Sequence, residues 1–119
     1  MTDSSSRQPL LEVTVRELAQ ILADASNTPQ LIDVRESWEI ETASLPSFVN
    51  LPLSEFADWS EAIATRLDPH QETLVLCHHG MRSAQMCQWL INQGFTQVKN
   101  IAGGIDAYSI VVDSSVPRY

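Results

Sequence analysis

The chain has 119 residues, of which 44% are hydrophobic, and it carries a formal net charge of −8 with a single lysine. This length suits one globular domain and is too short for two separate cores. A nucleic acid or an anionic membrane would require a basic face, so the acidic balance argues against both as partners. Small molecules or proteins are the expected partners.

The N-terminus and the cysteine content favour a cytoplasmic protein. Residues 1–9 are polar and lack the basic-then-apolar pattern of a signal peptide. No apolar run approaches the roughly 18 residues of a membrane span. We therefore expect a flexible tail over 1–9, a single domain over 10–119, and a cytoplasmic location. Cys77 and Cys87 should be free thiols, because the cytosol keeps thiols reduced.

Helix and strand patterns alternate along the chain. Helices are predicted over 14–24, from Ser54 to Leu67, from Ser83 to Gln93 with Gly94 as its stop, and after Gly103-Gly104. Strands are predicted over 31–34, 48–52, 73–77 and 98–102, with a short edge strand over 10–13. The linkers are too short for antiparallel hairpins. The pattern therefore predicts an α/β fold with a parallel sheet of four to five strands, flanked by helices on both faces.

Cys77 stands where the buried strand 73–77 ends and a loop leads into the next predicted helix. In parallel sheets, ligands bind beyond the carboxyl ends of the strands. A thiolate there would be stabilised by loop N–H groups, by the positive end of the helix and by a nearby arginine. Cys77 is therefore the candidate nucleophile.

Charge is distributed unevenly around that cysteine. Between Glu72 and Asp106 there is no acidic residue, and Arg82 and Lys99 are the only permanent charges, so this stretch is +2 while the remainder is −10. Either the segment needs few charges because it is buried, or its field favours negative charge near Cys77. The position beside Cys77 favours the second interpretation.

The other loop residues have candidate roles in binding the substrate or shaping the loop. Gly80 allows tight curvature, and Arg82 can brace the loop or bind an anionic donor. His78 and His79 add partial positive charge below neutral pH, although each could equally point into solvent. Met81 should form a lid or part of the core. Ser83 completes the candidate set, and we expect no metal or cofactor.

Five segments together carry a family resemblance. They are Leu31-Ile-Asp-Val-Arg35-Glu36, Val49-Asn-Leu-Pro-Leu53, Cys77-His-His-Gly-Met-Arg-Ser83, Gly103-Gly-Ile-Asp106 and Val116-Pro-Arg-Tyr119. In order and spacing they resemble a single-domain rhodanese-like sulfurtransferase over about residues 10–119. The resemblance implies that Cys77 takes a sulfane sulfur from thiosulfate or a persulfide. It would then pass this sulfur to a thiol or to cyanide, and a persulfide-carrying protein is among the expected donors.

The resemblance also assigns supporting positions. Asp33 and Arg35 match a pair that is largely architectural in the family, and we expect a buried ion pair, with substrate contact as the second role. The family usually has His-Ile-Pro-Gly-Ala near the active-site edge, where this chain has Ser44-Leu-Pro-Ser-Phe48. This departure leaves open an inactive or weakly active binding or sulfur-sensing module.

Three further interpretations are weaker. A cysteine phosphatase or arsenate reductase needs Cys-x5-Arg, whereas Arg82 comes one residue too soon after Cys77. Zinc ligands with paired spacing are absent from the set His70, Cys77, His78, His79 and Cys87. As a resolving thiol, Cys87 is disfavoured because Leu90 and Ile91 place it on an apolar helix face.

Overall fold

The computed structural model describes residues 10–119, so the predicted tail at 1–9 lies outside the described part. Five strands form one parallel sheet in the order β1-β5-β4-β2-β3. The strands are β1 Leu11–Val13, β2 Gln30–Asp33, β3 Val49–Asn50, β4 Thr73–Leu76 and β5 Val98–Ile101. The helices are α1 Val15–Ala23, α2 Ser37–Thr42, α3 Phe56–Trp59, α4 Ile63–Arg66, α5 Met81–Asn92 and α6 Gly104–Val111. The predicted α/β fold is confirmed, with five strands.

The central strand β4 is buried on both faces of the sheet, and its side chains alternate between two cores. Leu74 and Leu76 pack with Leu18 of α1 and Ile105 of α6. Val75 and the following residue Cys77 pack on the opposite face, where the buried side chains come from α3, α4 and α5 and include Trp59, Ile63, Met86 and Leu90. This period of two explains why a nearly continuous apolar run forms a strand rather than a helix.

Two segments differ from the prediction. The helix expected from Ser54 to Leu67 is broken into α3 and α4 by 3₁₀ turns at Leu53–Glu55 and Ser60–Ala62. Ser54 does not cap a helix, because its hydroxyl bonds to the Glu36 carboxylate. Helix α2 was not predicted, because its six residues are too few to show an apolar periodicity.

The carboxyl ends of β2, β4 and β5 face the same edge of the sheet, since all five strands run in parallel. The loops that follow these strands therefore meet there. Within the described residues 10–119, no helix has the length and apolar content needed to cross a membrane.

Candidate active site

Cys77 begins a tight loop between β4 and α5. Gly80 ends the loop with a φ of 97°, a left-handed conformation that costs little for glycine alone. A Cβ at Gly80 would also lie only 3.1 Å from the backbone nitrogen of Gly103. Both features require glycine at position 80, because the loop turns sharply while it packs against the β5–α6 turn.

The sulfur of Cys77 receives two polar contacts. The backbone N–H of Gly80, at the start of α5, donates to Sγ over 3.0 Å, and the hydroxyl oxygen of Ser83 lies 3.2 Å from Sγ. The side chain of Cys77 is otherwise enclosed, with 1% of the residue exposed. One amide and a helix N-terminus therefore face the sulfur, an arrangement that stabilises a thiolate.

The turn between β5 and α6 holds the loop from behind. Gly104 has a φ of 61°, and a Cβ there would collide with the carbonyl oxygens of Cys77 and His78. Ile105 donates its N–H to the carbonyl of Cys77 over 3.0 Å, and Asp106 donates to that of His78 over 3.1 Å. The double glycine therefore allows the start of α6 to bind the loop backbone directly.

Arg82 braces the loop through an ion pair. Its two terminal nitrogens lie 2.7 and 2.9 Å from the carboxylate oxygens of Glu39 on α2. The hydrogen bonds from Arg82 are the main cause that lowers the pKa of Glu39 to about 2. Glu39 in turn raises the pKa of the guanidinium. Of the two roles expected for Arg82, the structure shows loop bracing.

This ion pair corrects the expectation of a net positive field at Cys77. Residues 73–105 contain no acid, yet Glu39 and Asp106 from outside that stretch fold back against the loop. Glu39 neutralises Arg82, and Asp106 lies beside His79 and Arg118. Counting charges along the sequence missed this compensation, because the acids are adjacent only in space.

The two histidines occupy different environments. His78 stacks face to face on Tyr119, with ring centroids 3.8 Å apart, and its buried Nε2 atom has no hydrogen-bond partner among residues 10–119. Burial is the main cause that lowers the pKa of His78, and the nearby His79 lowers it further. The side chain of His79 is 60% exposed and its Nε2 lies 3.9 Å from a carboxylate oxygen of Asp106.

These groups form a poor metal chelate. One ligand atom each from His78, His79 and Asp106 falls within 4.8 Å of the others. The imidazole rings are stacked, however, with centroids 3.9 Å apart and planes inclined by 29°. An ion about 2 Å from both ring nitrogens would lie outside both ring planes, away from the lone pairs. His70 precedes β4 whereas Cys77 follows it, so the wider zinc set is not brought together.

Asp33 and Arg35 form a buried ion pair at the end of β2, 2.8 Å apart. Arg35 has no exposed surface, and it also donates to the carbonyl of Ala43 and to the hydroxyl of Tyr119, each over 2.8 Å. The pair connects the loop after β2 to α2 and to the C-terminal segment. These contacts match an architectural role. Because Arg35 is fully buried, its nitrogens do not face solvent, where a substrate would approach.

The remaining candidates lie where their surroundings limit their chemistry. Cys87 has no exposed surface, and burial raises the pKa of its thiol to about 12, which favours its interpretation as a small core residue. Met81 is 76% exposed, so it does not form part of the core, and its role as a loop lid stays a prediction.

The loop Ser44–Phe48 extends away from Cys77. Its exposed residue Ser47 lines a cavity of about 220 Å³ together with Asp24, Asn27 and Leu31. Asp24 and Asn27 precede β2 and Leu31 is its second residue, so these neighbours lie at the amino ends of the strands. Ser47 is therefore remote from the edge where Cys77 lies, whereas Ser44 directly follows Ala43, whose carbonyl accepts a hydrogen bond from Arg35.

Sequence reasoning missed three residues that contact the loop. Glu39 pairs with Arg82, Tyr119 stacks on His78, and Asn100 donates to the carbonyl of Gly80 over 3.0 Å. The spacing Glu36-x-x-Glu39 was an available signal for a helix start, since the Glu39 carboxylate accepts from the Glu36 N–H. Nothing local indicates the partners of Tyr119 or Asn100.

Comparison with known proteins decides the family. A family model described as rhodanese-like domain matches residues 14–110. The chain belongs to the rhodanese-like domain family. The chloroplastic rhodanese-like/PpiC domain-containing protein 12 of Arabidopsis thaliana is 48% identical over 117 residues, which cover 97% of this chain and 39% of that protein.

Other relatives carry sulfurtransferase names. The adenylyltransferase and sulfurtransferase UBA4 of Candida glabrata is 33% identical over 102 residues, covering 80% of this chain and 24% of that protein. The solved structure of the human single-domain sulfurtransferase TSTD1 superposes with a TM-score of 0.70 and 26% identity, covering 87% of this chain and 98% of that one. The chain spans well under half the length of the first curated relatives. Relatives of this rhodanese-like domain thus include sulfurtransferases.

Proposed function

We propose that this rhodanese-like domain is a sulfurtransferase that carries a sulfane sulfur as a persulfide on Cys77. The observation that carries the proposal is the Gly80 N–H, 3.0 Å from Sγ at the start of α5. A helix N-terminus and a loop amide favour negative charge on sulfur without a general base. Cys77 also stands at the carboxyl end of the central strand, the usual ligand edge of such sheets.

The reaction proceeds by two displacements at sulfur. The Cys77 thiolate attacks the outer sulfur of the donor, a sulfur–sulfur bond forms, and the bond within the donor breaks; thiosulfate releases sulfite. The enzyme then carries a Cys77 persulfide. A thiolate or cyanide attacks the terminal sulfur and takes it, and the electron pair of the broken bond returns to Cys77 as thiolate. No electron is gained or lost overall, so the proposed reaction needs no redox cofactor.

The surroundings favour a persulfide on a protein or small thiol over thiosulfate as the donor. Arg82 is neutralised by Glu39, and Asp106 lies near the loop, so little free positive charge faces a doubly charged anion. The exposed side chains of Met81 at the loop and Trp38 on α2 offer apolar surface for a protein partner. The proposed location is the cytoplasm, although one relative is named as chloroplastic.

Intact-protein mass spectrometry tests the proposal directly. Incubation with thiosulfate or a small-molecule persulfide should add about 32 Da, one sulfur atom bound to an activated thiolate, and cyanide should remove it. Cys77→Ser should never gain this mass, whereas the matched control Cys87→Ser should. Equal loss in both variants would contradict a single-cysteine mechanism. If no donor loads either protein, the binding-module alternative replaces the proposal.

A further inference from the structure

Asn100 lies behind the Cys77 loop in a position that local sequence patterns do not assign to the site. It belongs to β5 and is 1% exposed. Its Nδ2 donates to the carbonyl of Gly80 over 3.0 Å and to a carboxylate oxygen of Glu12 over 3.1 Å. Its Oδ1 lies 2.5 Å from the hydroxyl oxygen of Ser83. Asn100 therefore touches the residue that in turn touches the cysteine sulfur.

The orientation of the Asn100 amide is fixed by its neighbours. Both hydrogens on Nδ2 have acceptors, the carbonyl of Gly80 and the carboxylate of Glu12. Rotating the amide by half a turn would place Oδ1 against those two oxygens and lose both hydrogen bonds. The oxygen of the amide must therefore face Ser83, where it can only accept a hydrogen bond.

Ser83 has one hydroxyl hydrogen for two neighbouring acceptors. Two oxygens 2.5 Å apart repel unless a hydrogen lies between them, so the Ser83 hydrogen points to Asn100. The contact of 3.2 Å between Ser83 and Sγ must then be donated by the cysteine, as S–H to the hydroxyl oxygen. This arrangement suits the thiol form of Cys77. A thiolate would present a second lone pair to the Ser83 oxygen.

We propose that Asn100 is a positioning residue that holds the Ser83 hydroxyl hydrogen away from Cys77 and so withholds one hydrogen bond from the thiolate. To stabilise the thiolate, Ser83 would have to turn its hydrogen to Sγ and leave the Asn100 oxygen without a donor. The Gly80 amide favours the thiolate while Asn100 opposes it through Ser83. The inference rests on the proposed function only in treating Cys77 as the reactive residue.

The test leaves the charged and titratable residues on the elements around Cys77 unsubstituted. They are Arg82 and Cys87 on α5, His78 and His79 in the loop, Asp106 on α6, Glu12 on β1 and Glu39 on α2. Replacing Asn100 or Ser83 by alanine exchanges one neutral side chain for another. A change in the reactivity of Cys77 would therefore report hydrogen bonding rather than a lost charge.

The experiment measures the rate at which iodoacetamide alkylates Cys77 from pH 5 to 10, read at that residue by peptide mass spectrometry. Asn100→Ala should move the midpoint of the rate profile to lower pH by about one unit, which is about a tenfold faster reaction below the midpoint. Ser83→Ala should leave the midpoint unchanged or lower it. The double variant should stay close to Ser83→Ala, because the Asn100 oxygen acts through the Ser83 hydroxyl, and the difference between the two measures the lost bond from Asn100 to the Gly80 carbonyl.

Opposite shifts would overturn the inference. If Ser83→Ala raises the midpoint, Ser83 donates to the thiolate in the unaltered protein; if Asn100→Ala leaves it unchanged or raises it, Asn100 does not hold the hydrogen. Ser83→Ala decides the matter even if Asn100→Ala fails to fold. Ser109→Ala is the matched control, since it removes another buried serine hydroxyl, bonded to the Val116 carbonyl. Alkylation needs no sulfur donor, so its outcome is separate from that of the proposed sulfur transfer.

Discussion

Arg82 and Glu39 form a two-pronged ion pair across 43 residues of sequence, with N···O distances of 2.7 and 2.9 Å. The pair connects the first turn of α5, which directly follows the Cys77 loop, to α2, which follows β2. Glu39 also accepts a hydrogen bond of 2.7 Å from the hydroxyl of Tyr119. One buried carboxylate thus joins three segments that surround the candidate nucleophile.

Stability should depend on Glu39 in a defined range of pH. Because its pKa is lowered from 4.5 to about 2 in the folded state, ionised Glu39 stabilises the fold above pH 4.5. This contribution is lost as the pH falls from 4.5 towards 2. The free energy of unfolding of Glu39→Gln should therefore lie below that of the unaltered protein above pH 4.5, and the difference should shrink towards pH 2.

Urea unfolding at several pH values measures that difference. Glu41→Gln provides the control, because Glu41 is an exposed residue of the same helix. Its difference from the unaltered protein should stay small and constant. A difference for Glu39→Gln that does not change between pH 5 and 2 would show that the ion pair does not stabilise the fold.

Thiosulfate should be a poor donor at low salt. The chain carries a net charge of −8, and the arginine nearest the cysteine is already paired with Glu39. Salt screens the resulting repulsion of a dianion, so the KM for thiosulfate should fall several-fold as NaCl rises to about 0.3 M. The KM of a singly charged small-molecule persulfide should change less.

Thiocyanate formation measured against donor concentration gives both KM values. A KM for thiosulfate that rises with salt would mean that the site attracts the dianion. In that case thiosulfate would become the favoured donor, and Arg82 would have to leave Glu39 when the donor binds.

Ser47 should be replaceable by glycine with a gain in stability. Its φ of 74° is the one positive value among the non-glycine residues that the structure describes. This conformation destabilises the folded state by about 1–2 kcal/mol for a residue with a Cβ, and glycine removes that cost. Glycine also stabilises the unfolded state by about 0.4–1 kcal/mol, because it gives the unfolded chain more conformational entropy. Ser47→Gly should therefore raise the free energy of unfolding by about 0.5–1 kcal/mol.

The same loop supplies the control for that change. Ser44 is exposed like Ser47 but has no positive φ. Ser44→Gly should lower the free energy of unfolding, because only the entropic cost of glycine applies. Equal shifts for the two variants in thermal or denaturant unfolding would indicate that the conformation of Ser47 carries no strain.

The hydroxyl of Tyr119 should contribute to stability apart from its ring. It accepts from Arg35 over 2.8 Å and donates to Glu39 over 2.7 Å, while the ring stacks on His78. Tyr119→Phe keeps the ring but leaves Arg35 short of one acceptor, so the free energy of unfolding should fall by about 1–3 kcal/mol.

Tyr108→Phe is the comparison for this effect. The Tyr108 ring packs at the edge of the core, and its hydroxyl forms no side-chain hydrogen bond within residues 10–119. Its loss should change the free energy of unfolding by less than about 0.5 kcal/mol. Similar losses in the two variants would show that the Tyr119 hydroxyl bonds contribute nothing beyond a general effect of removing a hydroxyl.

The fold and the position of the candidate nucleophile were largely predictable from local patterns. Short apolar strands alternating with helix signals predict a parallel sheet, and Cys77 stands at the end of one strand before a glycine-containing loop. Those signals depend on residues within a few positions of each other, where backbone geometry, caps and turn residues act. The break of the Ser54–Leu67 helix was not predictable, since 3₁₀ turns and the Ser54–Glu36 bond depend on packing.

The sequence by itself indicated the five strands, the approximate positions of the helices other than α2, and the loop that presents a cysteine. Only the tertiary structure decided which groups surround that cysteine: Glu39 on Arg82, Tyr119 on His78, and Asn100 on Ser83. The physical reason is that these partners lie 17 or more residues apart and meet through the order in which parallel strands pack. Charge and hydrogen bonding act through space, so the electrostatics of the site followed from the fold rather than from neighbours in the chain.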